Sequence, residues 1–288
     1  MELKTENITK RYKNKTALDG ISLTLHSGVY ALLGPNGAGK STLMSILVGL
    51  LRPTAGTVTL DGREILSLGA EYRARLGFLP QDTGFYPTFS GEDMLRYYAS
   101  VKGIKNARGE IGELLEFVNL TDDRKRKCVE YSGGMKRRLG IAAALLGSPD
   151  ILIFDEPTAG LDPKERMRFR NILSRIGREK LLLIATHIVS DVESIADEVI
   201  LLDSGKAVQN GTLAEVLTSA EGCVWEFLCD AKYADEYALS HTNASIVKTA
   251  DGTHLHIVSR EKLFDRASSV PPTLEDVYML HFGQVSGE

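Results

Sequence analysis

The sequence predicts an α/β protein in which a largely parallel sheet carries a helical insert and is followed by a small α+β domain. Short apolar runs alternate with turns before about residue 60, and strand and helix patterns alternate again over 151–218. Such alternation implies a parallel sheet with helices on its faces. Helical patterns dominate between about 82 and 147, and short strands return after residue 220. We therefore expect a first domain at 1–220, with its insert at about 82–147, and a second at 221–288.

The first domain's elements follow from local patterns. Ile21 to Leu25 alternates with period two, as a half-buried strand does, and Val29 to Leu33 is a nearly continuous apolar run, as in a buried strand. Ser90 with Asp93 resembles the capping box that starts a helix. The remaining predictions are helices at about 40–50, 91–102, 106–118 and 133–146, strands at 57–60, 151–154 and 181–185, and a helix between the last two.

The second domain is predicted from shorter patterns. Pro271-Pro272-Thr273 begins a last helix, and Asp276 is spaced to help cap it. The other predicted elements are strands at 224–228, 244–247 and 254–258 and a helix near 231–240.

Composition excludes several classes of protein. The chain has 288 residues, of which 43% are hydrophobic and 25% charged, and its formal net charge is −4. These values are ordinary for a soluble globular protein, whereas a protein held to nucleic acid by bulk charge is usually strongly basic. The three cysteines favour a reduced, cytosolic setting. The sequence predicts neither a signal peptide nor a membrane-spanning helix.

A glycine-rich segment predicts a phosphate-binding loop. Residues 34–41, GPNGAGKS, match G-x-x-x-x-G-K-S between a buried strand and a helix. The glycines let backbone N–H groups point at phosphate oxygens, and the helix N-terminus adds its positive end. Lys40 would reach the β- and γ-phosphates, and Ser41 would bind Mg²⁺. The candidate nucleotide-binding residues here are Gly34, Pro35, Asn36, Gly37, Ala38, Gly39, Lys40, Ser41 and Thr42.

Two acidic residues end a predicted strand at the same edge of the sheet. Asp155 and Glu156 follow the apolar run 151–154, and ligands bind at the carboxyl ends of parallel strands. Asp155 suits Mg²⁺, which prefers oxygen ligands, and Glu156 could then orient or deprotonate an attacking water. Alone, the pair would be a solvated strand end, but the phosphate loop beside it favours a catalytic role.

These residues resemble the ATP-binding-cassette (ABC) ATPases over residues 1 to about 215. The further residues that match the family's ordered motifs are Tyr12, Gln81, Ser132, Gly133, Gly134, Asp162 and His187. The resemblance implies an ABC ATPase core with an antiparallel β subdomain and the helical insert. It also implies an ATPase that uses ATP and Mg²⁺, with Glu156, His187, Lys40 and Gln81 as catalytic residues and Ser41, Gln81 and Asp155 at the metal.

The resemblance assigns a role to each further motif. Tyr12 would stack on adenine, and His187 would lie near the γ-phosphate. Gln81 would link Mg²⁺ or water to the interface with a membrane partner. Ser132-Gly133-Gly134 and the loop that ends at Asp162 would contact the nucleotide held by a second cassette.

The signature departs from the family's commonest form, L-S-G-G-Q. Here it is Tyr131-Ser132-Gly133-Gly134-Met135, and Met135 cannot make the hydrogen bonds of glutamine. With the basic residues that follow, 136–138, this form resembles the bacterial drug- and antibiotic-export branch. So does the segment 272–278.

The resemblance therefore implies a subunit that powers a separate membrane permease. The resemblance to the export branch favours an exporter of a drug, peptide or lipid-like substrate. It would lie at the cytoplasmic face of the membrane, with a second cassette, a further copy of itself or a paralogue, as its ATP-dependent partner. A soluble ABC ATPase acting on nucleic acid or ribosomes is the alternative, and the acidic charge balance disfavours a nucleic-acid partner. A module that binds ATP without hydrolysing it is disfavoured by Glu156 and His187.

Other features allow two interpretations. Phe85, Tyr86 and Phe89 are candidate contacts for a membrane partner or packing inside the insert. The basic run 124–127 could contact acidic lipid or RNA, but a charge run of this kind more often indicates a solvated face. Cys223, Cys229, His254 and His256 match no zinc spacing.

Overall fold

The computed structural model describes residues 1–13 and 15–283 of the chain. It divides into two compact units, Met1–Val208 and Gln209–Glu288. The predicted domain boundary at residue 220 falls inside the second unit, and the domain assignment stays a prediction.

The elements predicted up to residue 212 are present, together with strands and short helices that the sequence patterns did not predict. The strands are β1 (Leu3–Tyr12), β2 (Lys15–Leu25), β3 (Gly28–Leu33), β4 (Ala55–Leu60), β5 (Arg63–Glu64), β6 (Leu76–Leu79), β7 (Ile151–Asp155), β8 (Leu181–Thr186), β9 (Glu198–Asp203) and β10 (Lys206–Thr212). The helices are α1 (Lys40–Leu47), α2 (Ile65–Leu68), α3 (Ala70–Ala74), α4 (Gly91–Val101), α5 (Arg108–Phe117), α6 (Gly133–Leu145) and α7 (Pro163–Gly177).

The site is carried by a six-stranded sheet of order β10-β9-β3-β8-β7-β6. Strand β3 pairs in parallel with β8 and β9, and β7 pairs in parallel with β6 and β8. Every residue of β8 is buried. Burial on both faces is what the nearly continuous apolar run of this strand predicts. The carboxyl ends of parallel strands meet at one edge, so the residues that follow β3, β7 and β8 lie close together.

A second sheet of order β2-β1-β4-β5 is antiparallel. No periodic pattern in the sequence predicts its central strand β1. The reason is a bulge: Asn7 has a φ of +50°, and the register with β2 shifts between Thr5 and Ile8. Such a shift turns the following side chains to the other face, so the period of two is lost. The predicted fold class, an α/β core with an antiparallel β subdomain and a helical insert, is confirmed.

The insert consists of α4, α5 and α6, whose ends lie within two residues of the predicted ones. The Ser90 hydroxyl accepts a hydrogen bond from the Asp93 N–H at 3.1 Å, which confirms the predicted cap of α4. Helix α6 packs on β6. There Gly77 is required, because a Cβ at this position would lie 2.3 Å from the Ala144 carbonyl oxygen.

The second unit has its own sheet and core. Its elements after β10 are α8 (Leu213–Thr218), β11 (Val224–Cys229), α9 (Ala231–Ser240), β12 (Ala244–Thr249), β13 (Gly252–Val258), β14 (Ser268–Ser269) and α10 (Leu274–Phe282). The sheet order is β12-β13-β11-β14. Thr273 and Asp276 cap α10 reciprocally, as the sequence predicts, with the Asp276 N–H donating to the Thr273 hydroxyl at 3.2 Å. Among the described residues, no helix has the length and apolar character needed to cross a membrane.

Candidate functional site

The predicted phosphate loop connects buried β3 to α1. Gly37 has a φ of +84° and Gly39 a φ of +112°, conformations that side chains rarely adopt. A Cβ at Gly39 would also lie 2.6 Å from the Ala17 carbonyl oxygen. Glycine is therefore needed here both for the turn and for the close approach of β2. Helix α1 begins directly afterwards at Lys40, so its N-terminus faces the loop.

Lys40 lies along the loop that precedes it. Its Nζ donates hydrogen bonds to the Gly34 carbonyl at 2.6 Å and the Pro35 carbonyl at 3.2 Å. Burial lowers the pKa of Lys40, and the nearby charges of Glu156 and Asp155 oppose that shift. The loop and the two acidic residues thus share one buried cation.

Asp155 and Ser41, two predicted metal ligands, are in contact. Ser41 at the start of α1 is hydrogen-bonded to Asp155 at the end of β7. Burial and the adjacent charge of Glu156 raise the pKa of Asp155, while Ser41 and the cations Lys40 and Arg137 oppose the increase. Oxygen atoms from a hydroxyl and a carboxylate are the ligands that Mg²⁺ prefers, so the donor set fits this ion.

Glu156 is buried and held from several directions. Its φ is +46°, which is rare for a residue with a side chain, and its N–H donates to the Ala185 carbonyl at 2.8 Å. Asp155 pairs with Ala185 in the β7–β8 register, which brings Glu156 beside the residues that end β8. Its Oε1 lies 2.8 Å from His187 Nδ1, and its Oε2 accepts from the Thr186 hydroxyl at 3.2 Å.

These residues line an open cleft of about 420 Å³. The lining residues are Tyr12, Lys15, Ala17, Asn36, Gly37, Gly39, Lys40, Ser41, Thr42, Gln81, Asp155, Glu156 and His187. Tyr12 lies at the end of β1, with its ring about half exposed and the Lys10 ammonium 5.3 Å from the ring centroid. The cleft therefore combines an aromatic surface, a phosphate-type loop and acidic residues.

The other predicted residues have different positions. Gly34 and Pro35 present their carbonyls to Lys40, and Ala38 is buried in the core. Ser132 caps α6, and Asp162 caps α7 by accepting from the Glu165 N–H at 2.8 Å. Within the described part of the chain, Ser132, Gly133, Gly134 and Asp162 are absent from the lining of this cleft.

Sequence reasoning missed Arg137. This buried residue of α6 donates from Nη1 to the Pro80 carbonyl at 3.0 Å and the Gln81 carbonyl at 2.6 Å. Its Nη2 donates to the Glu156 carbonyl at 2.6 Å. The run 136–138 is basic throughout, so its pattern does not show that Arg137 and Arg138 are buried.

Thr186 was also missed. It is fully buried at the end of β8, and its hydroxyl donates to Glu156 Oε2 and accepts from the Ile188 N–H at 3.0 Å. A polar residue between an apolar strand and the candidate His187 is a signal that could have identified it.

Comparison with known sequences gives consistent matches. A family model described as "ABC transporter" matches residues 18–159. The chain is 38% identical over 221 residues to the Nod factor export ATP-binding protein I of Burkholderia orbicola, a match that covers 75% of this chain and 73% of that protein. It is 37% identical over 224 residues to the linearmycin resistance ATP-binding protein LnrL of Bacillus subtilis, covering 76% and 72%.

Comparison with solved structures gives the same family. A dimeric post-hydrolysis state of the ATP-binding cassette MJ0796, bound to ADP and Pi, superposes with a TM-score of 0.66 at 26% identity. The match covers 73% of this chain and 98% of that one.

Proposed function

Since this chain belongs to the ABC transporter family and is an ATPase, we propose that its cleft binds ATP with Mg²⁺ and that Glu156 activates the attacking water. The observation that carries this proposal is the convergence of Lys40, Asp155 and Glu156 in one cleft with the glycine loop. Each group has a partner in the protein that fixes it before substrate arrives.

Binding is assigned to the loop side of the cleft. The N–H groups of the loop and of the start of α1 would hold the β- and γ-phosphates. Lys40 would exchange its hydrogen bonds with the Gly34 and Pro35 carbonyls for phosphate oxygens. Tyr12 would stack on adenine. Ser41 and Asp155 would hold Mg²⁺, with Gln81 beside it, and the ion would neutralise charge that develops on the transferred phosphoryl group.

Hydrolysis is assigned to the end of β7. Glu156 would accept one proton from the water that attacks the γ-phosphate, which yields ADP and phosphate. An ionised carboxylate only accepts hydrogen bonds, so His187 donates to it from Nδ1 and Thr186 donates from its hydroxyl. These two donors fix the direction of the carboxylate, and His187 would also contact the γ-phosphate.

A second copy of the chain would complete the site. The thirteen-residue helix α6 begins at the Ser132 cap, and such a helix start attracts anions. Because Ser132 and Asp162 lie outside the lining of their own cleft as the structure describes it, we assign them to the nucleotide of the partner. Relatives of this chain dimerise: the similar cassette bound to ADP and Pi is a dimer.

The work of this ATPase would be export through a separate membrane protein. The relatives include proteins named for Nod factor export and linearmycin resistance, so we propose a drug, peptide or lipid-like cargo, with this subunit at the cytoplasmic face of the membrane. The region around Gln81 and the insert would receive the membrane protein. There, Tyr86 and Phe89 pack with Tyr97, with ring centroids 5.2–6.1 Å apart, and Tyr86 stays half exposed.

Affinity capture tests the transport part of the proposal. Tagged Glu156→Gln protein with Mg-ATP, recovered from gently solubilised native membranes, should bring down a polytopic membrane protein in near-stoichiometric amount. Tyr86→Glu in the same background should reduce that recovery without reducing ATP binding. Recovery of ribosomal or DNA-bound proteins, with no membrane protein, would contradict it.

A further inference from the structure

Arg137 is a buried cation whose three hydrogen bonds all go to backbone carbonyls. Its guanidinium contacts the carbonyls of Pro80, Gln81 and Glu156 at 3.0, 2.6 and 2.6 Å. Pro80 and Gln81 follow β6, and Glu156 follows β7. Arg137 itself belongs to α6, so one side chain joins the ends of two neighbouring strands to a helix.

The contact with Glu156 supports an unusual backbone. A left-handed residue other than glycine costs of the order of 1 kcal/mol and persists only where its surroundings impose it. At Glu156, whose φ is +46°, the N–H is fixed by the Ala185 carbonyl and the carbonyl by Arg137. Loss of the second contact would free this peptide group to rotate, and the Glu156 carboxylate would move with it.

A planar guanidinium is suited to this position. Arginine presents several N–H donors in a fixed fork, whereas the ammonium of lysine is a compact point charge on a flexible stem. Nη1 donates to the carbonyls of Pro80 and Gln81, the two residues that we call the Gln81 loop, while Nη2 donates to the Glu156 carbonyl. A lysine here could replace only part of this set.

The position in α6 adds a connection to the signature. Arg137 lies five residues after the Ser132 cap, on the same helix, at a rise of about 1.5 Å per residue. A helix is rigid over this length, so a displacement of the start of α6 would also displace the backbone that carries the Arg137 side chain.

We propose that Arg137 is a positioning residue that holds Glu156 and the Gln81 loop in their hydrolytic arrangement and ties both to the signature end of α6. This rests on the proposed function, in which Glu156 activates water and Ser132 receives the partner's nucleotide. Binding of that nucleotide at Ser132 would thereby affect the position of the Glu156 carboxylate in the same chain. Arg137 need not touch ATP in this role, so its removal should affect turnover rather than binding.

The test is steady-state ATPase kinetics with separate measurement of ATP affinity. Arg137→Met keeps most of the side chain's volume and removes all three donors. A catalytic group displaced by about 1 Å can lose ~100-fold in rate, so kcat should fall between about tenfold and 100-fold while KM and the Kd for ATP change less than about twofold. Arg137→Lys should recover part of kcat, because it restores one or two of the bonds.

Lys102→Met is the matched control. Lys102 is also a cation of the insert whose ammonium donates to a backbone carbonyl, that of Leu146 at 2.8 Å. Among the described residues, it has no hydrogen bond to Pro80, Gln81 or Glu156. The thermal unfolding midpoint of the Lys102→Met protein should fall, with little change in kcat. If Arg137→Met does not fold, Arg137→Lys decides the question, with reduced kcat and unchanged ATP Kd expected.

The outcomes separate the two proposals. A folded Arg137→Met protein with wild-type kcat, or with kcat and ATP affinity lost in parallel, overturns the positioning role. If Glu156→Gln itself hydrolyses ATP at the wild-type rate, the proposed function fails instead. Retention of an ATP-dependent dimer by the Glu156→Gln/Arg137→Met protein would support a role after binding.

Discussion

Oε1 of Glu156 lies 2.8 Å from Nδ1 of His187, across the parallel register of β7 and β8. The two residues are 31 positions apart in sequence. Glu156 directly follows β7, and His187 directly follows β8. The pairing of two apolar strands therefore sets the distance between a buried carboxylate and its hydrogen-bond donor. Under the proposed function, hydrolysis would depend on this contact, which the pairing of β7 and β8 creates.

Replacement of Thr186 by valine should reduce turnover without abolishing the fold. The change keeps the shape but removes the hydroxyl that donates to Glu156 Oε2 and accepts from the Ile188 N–H. A buried N–H left without a partner costs roughly 1–3 kcal/mol of stability. We expect kcat to fall about tenfold, less than the ~100-fold or more that loss of a whole acid–base group costs, because His187 still donates to Glu156. Thr186→Ser keeps the hydroxyl and should retain most activity; equal losses in both variants would mean that the methyl group, not the hydrogen bond, matters.

Substitution of Ser132 by arginine should separate binding from closure. Ser132 caps α6 outside the lining of its own cleft as described, so the isolated subunit should bind ATP as the unmodified protein does. A long cation at the helix start would obstruct the nucleotide of a partner. Size-exclusion chromatography with light scattering, in the Glu156→Gln background with Mg-ATP, should then show monomers. A dimer as abundant as that of Glu156→Gln alone would refute the role of the signature.

The second unit should lose stability at alkaline pH. His256 lies between the Glu226 and Asp276 carboxylates, at 2.7 and 2.6 Å, and hydrogen bonds to both, led by Asp276, raise its pKa to about 9 against the burial that lowers it. An unfolded histidine titrates near 6.5. The stabilisation is therefore complete below about pH 6.5 and is lost as the pH rises through about 9, a loss of the order of 3 kcal/mol.

Trp225 provides the measurement for this prediction. It is the single tryptophan of the chain and lies in β11 beside Glu226, so its fluorescence reports unfolding of the second unit in the intact protein. The denaturation midpoint should fall between pH 7 and pH 10, and the His256→Gln protein should show a flatter dependence. Identical slopes in the two proteins would exclude His256 as the titrating group.

Sequence alone predicted what depends on local pattern. The loop at 34–41 has its strand before it and its helix after it, and Thr273 with Asp276 forms the expected cap. The acidic pair at 155 and 156 ends a buried strand as expected. These features are set by residues close together in the chain, where spacing is informative.

Features that depend on distant contacts were not predicted. Strand β1 was hidden by its bulge at Asn7, and Arg137 reaches Gln81 and Glu156, which are 56 and 19 positions away. Neither contact leaves a trace in local spacing. The burial of Arg137 and Arg138 in a basic run follows only from the packing of α6 in the folded chain.

The most direct measurement is a single-turnover assay of Glu156→Gln beside the unmodified protein. With Mg-ATP, the variant should bind nucleotide with unchanged affinity, release phosphate at least about 100-fold more slowly, and accumulate as a dimer. The substitution keeps the size of the side chain but removes its ability to take a proton. Phosphate release at the unmodified rate by a monomeric variant would contradict the assignment of Glu156 as the group that activates water.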